Sequence, residues 1–250
     1  MSRIYAIANQ KGGTGKTTLA VNLAAALVRA GEEVDLYDLD PQASLTEYFI
    51  SLDKVEGQTI YNALVEGSNV PFLTLGESIR LVPSNIDLAA AEIQLPKLRN
   101  FERALVRLIR QRTQNDRRII LIDCPPSLGI LTTISLAAAH KVIVPVSTEL
   151  MGFRTIKLIL DTIADIRDSE LNEEIALWYL IPTLYDQRLN HHKEILEAMR
   201  HTYGVNLYPE PMRLTVKYKD AVVQHVDSAM LDDELGAYWD RMAHVLLNGR

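Results

Sequence analysis

Along the chain, apolar and polar positions follow two periods that alternate. Short apolar runs at residues 4–8, 34–39, 79–82, 119–122, 142–146 and 177–181 predict strands buried on both faces. Between them, residues 17–30 (closed by Gly31), 85–112, 153–167, 189–203 and 231–247 carry the spacing of helices. Such alternation requires right-handed crossovers. It predicts an α/β fold with a mostly parallel, twisted sheet flanked by helices on both faces. No Pro- or Ser-rich break, repeat or low-complexity tract interrupts the pattern, so residues 1–250 read as a single domain.

Composition narrows the class. With 48% hydrophobic and 23% charged residues, the chain has the balance of a soluble globular protein rather than a disordered one. Cys124 is the only cysteine, which excludes an internal disulfide framework and any cluster or zinc site built from several thiolates of one chain. The N-terminus lacks a basic segment, apolar run and small-residue cleavage site, and no apolar stretch approaches the ~20 residues that cross a bilayer. The reading is a soluble, unexported, cytoplasmic protein.

The net charge of −6 argues against nucleic acid until its distribution is considered. Residues 97–118 hold 8 Lys and Arg against 2 acids, and residues 185–225 hold 6 against 5 with His191, His192, His201 and His225 besides. The remainder is acidic. Two comparatively basic regions are therefore hidden in an acidic total.

In an open α/β sheet, functional groups belong at the carboxyl ends of the strands. After the first strand comes KGGTGKTT, a Gly-rich turn running directly into a helix. Gly12, Gly13 and Gly15 can take positive φ and let backbone N–H groups approach phosphate oxygens, with Thr14 and Thr18 in the same cradle. The helix N-terminus adds partial positive charge. Lys16 would reach the β and γ phosphates and the Thr17 hydroxyl would ligate Mg²⁺. The ordinary motif is G-x-x-x-x-G-K-[ST]; here the first position is Gln10, with Lys11 beside it, so the loop is a variant. A lysine at that front edge could neutralise the γ phosphate of its own nucleotide or of one facing it across a dimer.

Carboxylates complete the pattern. In DLYDLDPQ, Asp38 and Asp40 lie two apart at the end of the second predicted strand, so strand alternation points them the same way. One could hold water on Mg²⁺ while the other orients the attacking water. RRIILIDCPPS places Asp123 after four consecutive apolar residues, the form of a Walker B aspartate.

ANQKGGTGKTTLAVNLAAAL, DLDPQASLT, LIDCPPSLG and IPTLYDQR, in this order, resemble the ParA family of partition ATPases, the deviant Walker A branch of P-loop NTPases that also contains MinD. The resemblance implies an ATP-dependent homodimer in which Lys11 crosses to the partner's ATP. It implies Lys16 and Thr17 as phosphate and Mg²⁺ contacts, Asp40 as the water-activating residue, and Asp38 and Asp123 as the outer metal shell. Adenine recognition is implied near Pro209 and Glu210.

Three uses of the ATP compete. In DNA positioning, an ATP-bound dimer with slow intrinsic hydrolysis grips nonspecific DNA of the nucleoid until a ParB-like partner on the cargo stimulates hydrolysis. The cargo would be a chromosome, a plasmid or a protein assembly. Arg188 and Arg213 fall where the family's DNA-contacting arginines are expected, and Lys217 and Lys219 follow. A MinD-like membrane cycle would need a terminal amphipathic helix with a basic polar face. Residues 231–250 have the periodicity but carry Asp232, Asp233, Glu234 and Asp240, so this helix is expected to pack on its own domain without touching membrane. A metabolic or cluster-carrying ATPase loses support with the single Cys124.

Some residues depart from the family pattern. An acidic residue and alanine usually follow the arginine matched by Arg213, where this chain has Leu214, Thr215, Val216 and Lys217. The chain begins directly with its first strand, which leaves no room for an operator-reading domain in front. Adjacent His191 and His192 lack further ligands at metal spacing and read as surface residues. Trp178, Trp239 and the tyrosines read as packing.

Overall fold

The computed structural model describes residues 3–55, 58–112 and 117–248. Part of the basic stretch 97–118 lies outside the described residues. Seven strands form one sheet: β1 (Ile4–Ile7), β2 (Val34–Asp38), β3 (Leu73–Leu75), β4 (Ile79–Val82), β5 (Ile119–Asp123), β6 (Lys141–Ser147) and β7 (Ala176–Thr183). Their order is β3-β4-β2-β5-β1-β6-β7, and only the β3–β4 pair is antiparallel. β1, β2 and β5 are buried along their whole length, as continuous apolar runs require when helices cover both faces.

One face is covered by α1 (Lys16–Arg29), α8 (Lys217–Gln224) and α9 (Asp233–Asn248), where Leu19, Leu23 and Leu27 meet Trp178, Trp239 and Met242. The other is covered by α4 (Ala104–Arg112), α5 (Ile130–Ala138), α6 (Leu150–Asp168) and α7 (Asn190–Tyr203), through Leu105, Ile109, Leu131, Ile134, Ile156 and Ile159. α9 buries Leu235, Tyr238, Trp239, Met242, Ala243 and Leu246. Its apolar stripe is therefore spent on its own domain. No helix among the described residues is long and apolar enough to cross a membrane.

The structure departs from the sequence reading in several places. The helix expected over 85–112 is broken into short 3₁₀ turns and a four-residue α3 (Ala91–Gln94) before α4 begins. Pro96 cannot donate to a helical ladder, and Asn100 sits at φ 53, in the left-handed region that ends a helix. β3 is a three-residue edge strand, too short for alternation to register. α5, α8 and α2 (Ser44–Phe49) were not expected; α5 is apolar nearly all round because the core surrounds it, which hides its period. His192 is buried rather than at the surface. Its Nδ1 accepts the Asp186 N–H at 3.0 Å, closing the turn that leads into α7, and lies 3.3 Å from Thr148 Oγ1.

One buried polar contact ties the chain's late segment to α1. Asn22 Oδ1 accepts both the Ser228 N–H at 2.8 Å and the Ser228 hydroxyl at 2.5 Å, while Asn22 Nδ2 donates to Thr18 O at 2.7 Å. The Ser228 oxygen in turn accepts from Trp239 Nε1 at 3.2 Å. Replacing the carboxamide strands two buried donors at once. Asn22→Ala is expected to lower the unfolding free energy by about 2–3 kcal/mol, read by urea denaturation against the parent. An unchanged midpoint would mean that water takes over both donors.

Candidate nucleotide site

β1 delivers the chain to the top of the sheet at Asn9, and the loop that follows is held before any ligand arrives. Asn9 Nδ2 donates to Pro145 O at 2.6 Å, and its Oδ1 accepts the Lys11 N–H at 3.1 Å. From β7, Thr183 Oγ1 donates to Thr14 O at 2.8 Å, and Thr14 Oγ1 donates to Lys11 O at 3.3 Å. Neither Asn9 nor Thr183 was singled out from sequence. Gly13 at φ 70 and Gly15 at φ 88 occupy the left-handed region, where a side chain would be strained; Gly12 does not need positive φ and instead lies against Pro126. Gly15 is the N-cap of α1 with no side-chain cap, so the first N–H groups of the helix are left for an anion.

The loop opens into a cavity of about 680 Å³. Gly12, Gly13, Gly15, Lys16, Thr17, Thr18 and Asp40 line it together with Met212, Arg213, Thr215 and Lys219. Thr17 Oγ1 donates to Asp123 Oδ2 at 2.7 Å, while Asp123 Oδ1 is buried with no partner. Burial pushes the Asp123 carboxyl up to about 8, aided by the neighbouring Asp38, while Thr17 and Lys16 pull it down. A hydroxyl beside an orphaned carboxylate oxygen is the donor set that a Mg²⁺ ion and its water take when phosphates supply the remaining ligands. The described residues include no group of three or more His, Cys, Asp or Glu that could hold a metal ion.

Asp38 and Asp40 prove unlike. β2 ends at Asp38, so period-two alternation stops there and the two side chains part. Asp38 is fully buried; its Oδ2 accepts the Thr46 N–H at 2.8 Å and the Thr46 hydroxyl at 2.7 Å, and its Oδ1 accepts the Asp40 N–H at 3.1 Å. Burial still pushes its carboxyl up to about 7. Asp40 is half-exposed on the cavity wall, with Oδ1 accepting the Gln42 N–H at 2.9 Å.

Lys11 stands at the loop's front edge outside the cavity lining. Its Nζ donates to Glu149 Oε2 at 2.6 Å and Ser147 Oγ at 3.1 Å, and this contact lowers the Glu149 carboxyl. The β6–α6 junction presents those acceptors through a close backbone approach: a Cβ on Gly152 would sit 2.1 Å from Ser147 O. Pro209 and Glu210 line neighbouring hollows, and Glu210 pairs with Arg241 at 2.6 Å. Of the expected basic contacts, Arg213 and Lys219 line the cavity. Arg213 pairs with Glu234 at 2.7 Å, and Arg188, out on the surface, pairs with Asp186 at 2.7 Å. Lys217 opens α8 half-buried, its N–H meeting Thr215 Oγ1 at 3.3 Å. α2 is clasped to the end of α8, with Tyr48 OH donating to Val226 O and His225 Nδ1 2.6 Å from Tyr48 O.

Residues 2–177 match the model of an AAA domain family. The sporulation initiation inhibitor protein Soj of Bacillus subtilis is 34% identical over 225 residues, covering 88% of each chain. The chromosome partitioning protein ParA of Myxococcus xanthus is 36% identical over 204 residues, covering 80% of this chain and 71% of that one. The chain belongs to the ParA/Soj family of partition ATPases. Among solved structures, a Mycobacterium smegmatis cobyrinic acid a,c-diamide synthase with a bound ATP analogue and magnesium is 34% identical, with a TM-score of 0.87 over 99% of this chain and 94% of that one. The variant loop and ordered motifs are thus those of a ParA-type ATPase, a P-loop NTPase of the deviant Walker A kind. The departure after Arg213 has a local account, because Thr215 supplies the hydroxyl that starts α8.

The two raised carboxyls set a pH dependence. Each folded-state pKa lies above its unfolded value, so the folded state holds protons that the unfolded state has already released, and stability falls as pH rises between about 4 and 8. Nucleotide-free protein is expected to lose stability steadily from pH 5 to pH 8. Urea unfolding across that range reads the slope, and Asp123→Asn should flatten it. A slope unaffected by that change would show that other groups set the dependence.

Proposed function

We propose that this chain is a Mg²⁺-dependent ATPase that dimerises on ATP, grips nonspecific DNA and, with a stimulating partner of the ParB kind, positions or segregates a chromosome or plasmid. The observation that carries the reading is one cavity lined both by the phosphate loop with Thr17 and Asp40 and by Arg213 and Lys219, with Thr17 hydrogen-bonded to the buried Asp123. A change at the phosphates is thereby adjacent to the cations that would meet DNA.

The residues divide the work. The backbone of Gly12 to Thr18 and the Lys16 ammonium hold the phosphates, and Thr17 with Asp123 would hold Mg²⁺. ATP and Mg²⁺, when bound, supply the phosphoanhydride and the charge neutralisation. Asp40 orients the attacking water from the cavity wall. Asp38, whose oxygens are engaged by Thr46 and the Asp40 N–H, supports that loop from beneath the metal site. Lys11 must leave Glu149 to reach a nucleotide in the facing protomer, so dimerisation competes with an existing ion pair. Pro209 and Glu210 approach the base from the next hollow.

The smegmatis synthase raises amidation as a second reading. Glutamine-fed amidation needs an accessible thiolate, and Cys124, the chain's only cysteine, is fully buried with its thiol pushed up to about 12 by that burial. This chain would need ammonia from elsewhere. A MinD-like cycle is disfavoured by the burial of the α9 stripe, while a protein cargo fits the same chemistry as DNA segregation.

Salt-titrated binding to random-sequence duplex DNA, with ATP, with ADP and without nucleotide, tests the proposal. Binding is expected with ATP alone. Lys11→Ala should abolish the ATP-supported binding, Arg213→Ala should weaken it several-fold, and Lys219→Ala should reduce the salt slope by about one. Absence of binding at low salt in every nucleotide state would remove the DNA reading.

A further inference from the structure

Ser84 is a polar residue with no exposed surface, two positions beyond the end of β4, and it does not line the nucleotide cavity. Its Oγ donates to the main-chain oxygen of Asp40 at 2.8 Å, and its N–H donates to Thr46 Oγ1 at 2.9 Å. Thr46 passes its own hydroxyl hydrogen to Asp38 Oδ2. The backbone of Asp40 is thus held at both ends: its N–H by Asp38 Oδ1, its carbonyl by Ser84 Oγ and by the Ala43 N–H at 2.9 Å. Ala43 sits at φ 54, a left-handed strain that a loosely held turn would relax.

We propose that Ser84 is a positioning residue for hydrolysis, anchoring the Asp40 turn to the rigid end of β4 and so fixing where the Asp40 carboxylate stands. The inference rests on the reading of Asp40 as the water-orienting group. β4 is paired with β2 along its length, so the strand end that carries Ser84 is held in register with the strand that leads into the turn. Asp40 Oδ1 is taken by the Gln42 N–H and no described residue donates to Oδ2. The free oxygen's place in the cavity therefore follows the backbone, and the backbone follows Ser84. An anchor of this kind acts on the rate of the chemical step and leaves phosphate binding alone, because small misplacements of a catalytic group are costly while the phosphate loop is held separately by Asn9 and Thr183.

The test is single-turnover and steady-state hydrolysis of radiolabelled ATP by the full chain, comparing the parent, Ser84→Ala, Asp40→Asn and the double variant. Ser84→Ala is expected to lower kcat about tenfold with KM and ATP-analogue affinity within about twofold of the parent. In the Asp40→Asn background the same change should cost less than about twofold, because the anchor then has nothing to place. Ser84→Cys, close in volume and a weaker donor, should fall between serine and alanine, and it replaces alanine if alanine lowers analogue affinity through misfolding. A parental kcat in Ser84→Ala with an impaired Asp40→Asn overturns the anchor alone. Equal losses in both backgrounds also overturn it, since Ser84 would then act through something else. A parental rate in Asp40→Asn removes the assigned role of Asp40 and the anchor with it.

Discussion

Two carboxylates that end neighbouring strands side by side, Asp38 on β2 and Asp123 on β5, govern the architecture of this site. Placing two like charges in a dry sheet end is unfavourable unless each finds donors or a proton. Asp38 is answered from the protein by Thr46 and the Asp40 N–H, so it serves as the hub of the following turn. Asp123 is answered only in part, by Thr17, and its other oxygen is buried without a partner. Repulsion between the two carboxylates is what a dication would relieve. The difference between the two carboxylates follows from which of them has hydrogen-bond donors nearby.

The second constraint is electrostatic and acts at the rim. A chain of net charge −6 would repel DNA if its charge were spread evenly. Its cations are instead partly matched, Arg213 at the cavity by Glu234 and Arg188 out on the surface by Asp186, in exposed pairs that salt can break at little cost. Lys11 and Glu149 form a third such pair on the side of β6. Exposed ion pairs of this kind contribute little to stability but hold side chains in reserve.

The Gly-rich loop before α1, the strand that ends at Asp123 and the parallel sheet were legible in the sequence because each is written locally: glycines at 13 and 15, four apolar residues before Asp123, and runs buried on both faces. What was not legible depends on residues far apart in the chain. Asn9 meets Pro145, Thr183 meets Thr14, and Ser84 meets Asp40, and nothing in the neighbourhood of any of them signals its partner. The divergence of Asp38 and Asp40 was hidden by assuming strand geometry one residue too far. His192 was misread because a lone histidine accepting a backbone N–H leaves no spacing pattern. α5 escaped notice for the opposite reason, since a helix enclosed on all sides has no polar face to mark its period.

The strand order also has a consequence for how the protein is made. β1 is the first strand to leave the ribosome, yet its sheet neighbours are β5 and β6, whose first residues are Ile119 and Lys141. β2 and β4 can pair earlier, but β5 must slot between β2 and β1 before the sheet becomes continuous. At roughly 5–20 residues per second, the phosphate loop and α1 wait on the order of ten seconds with an apolar helix face uncovered. The segment that opens the chain is therefore completed by strands that are made much later.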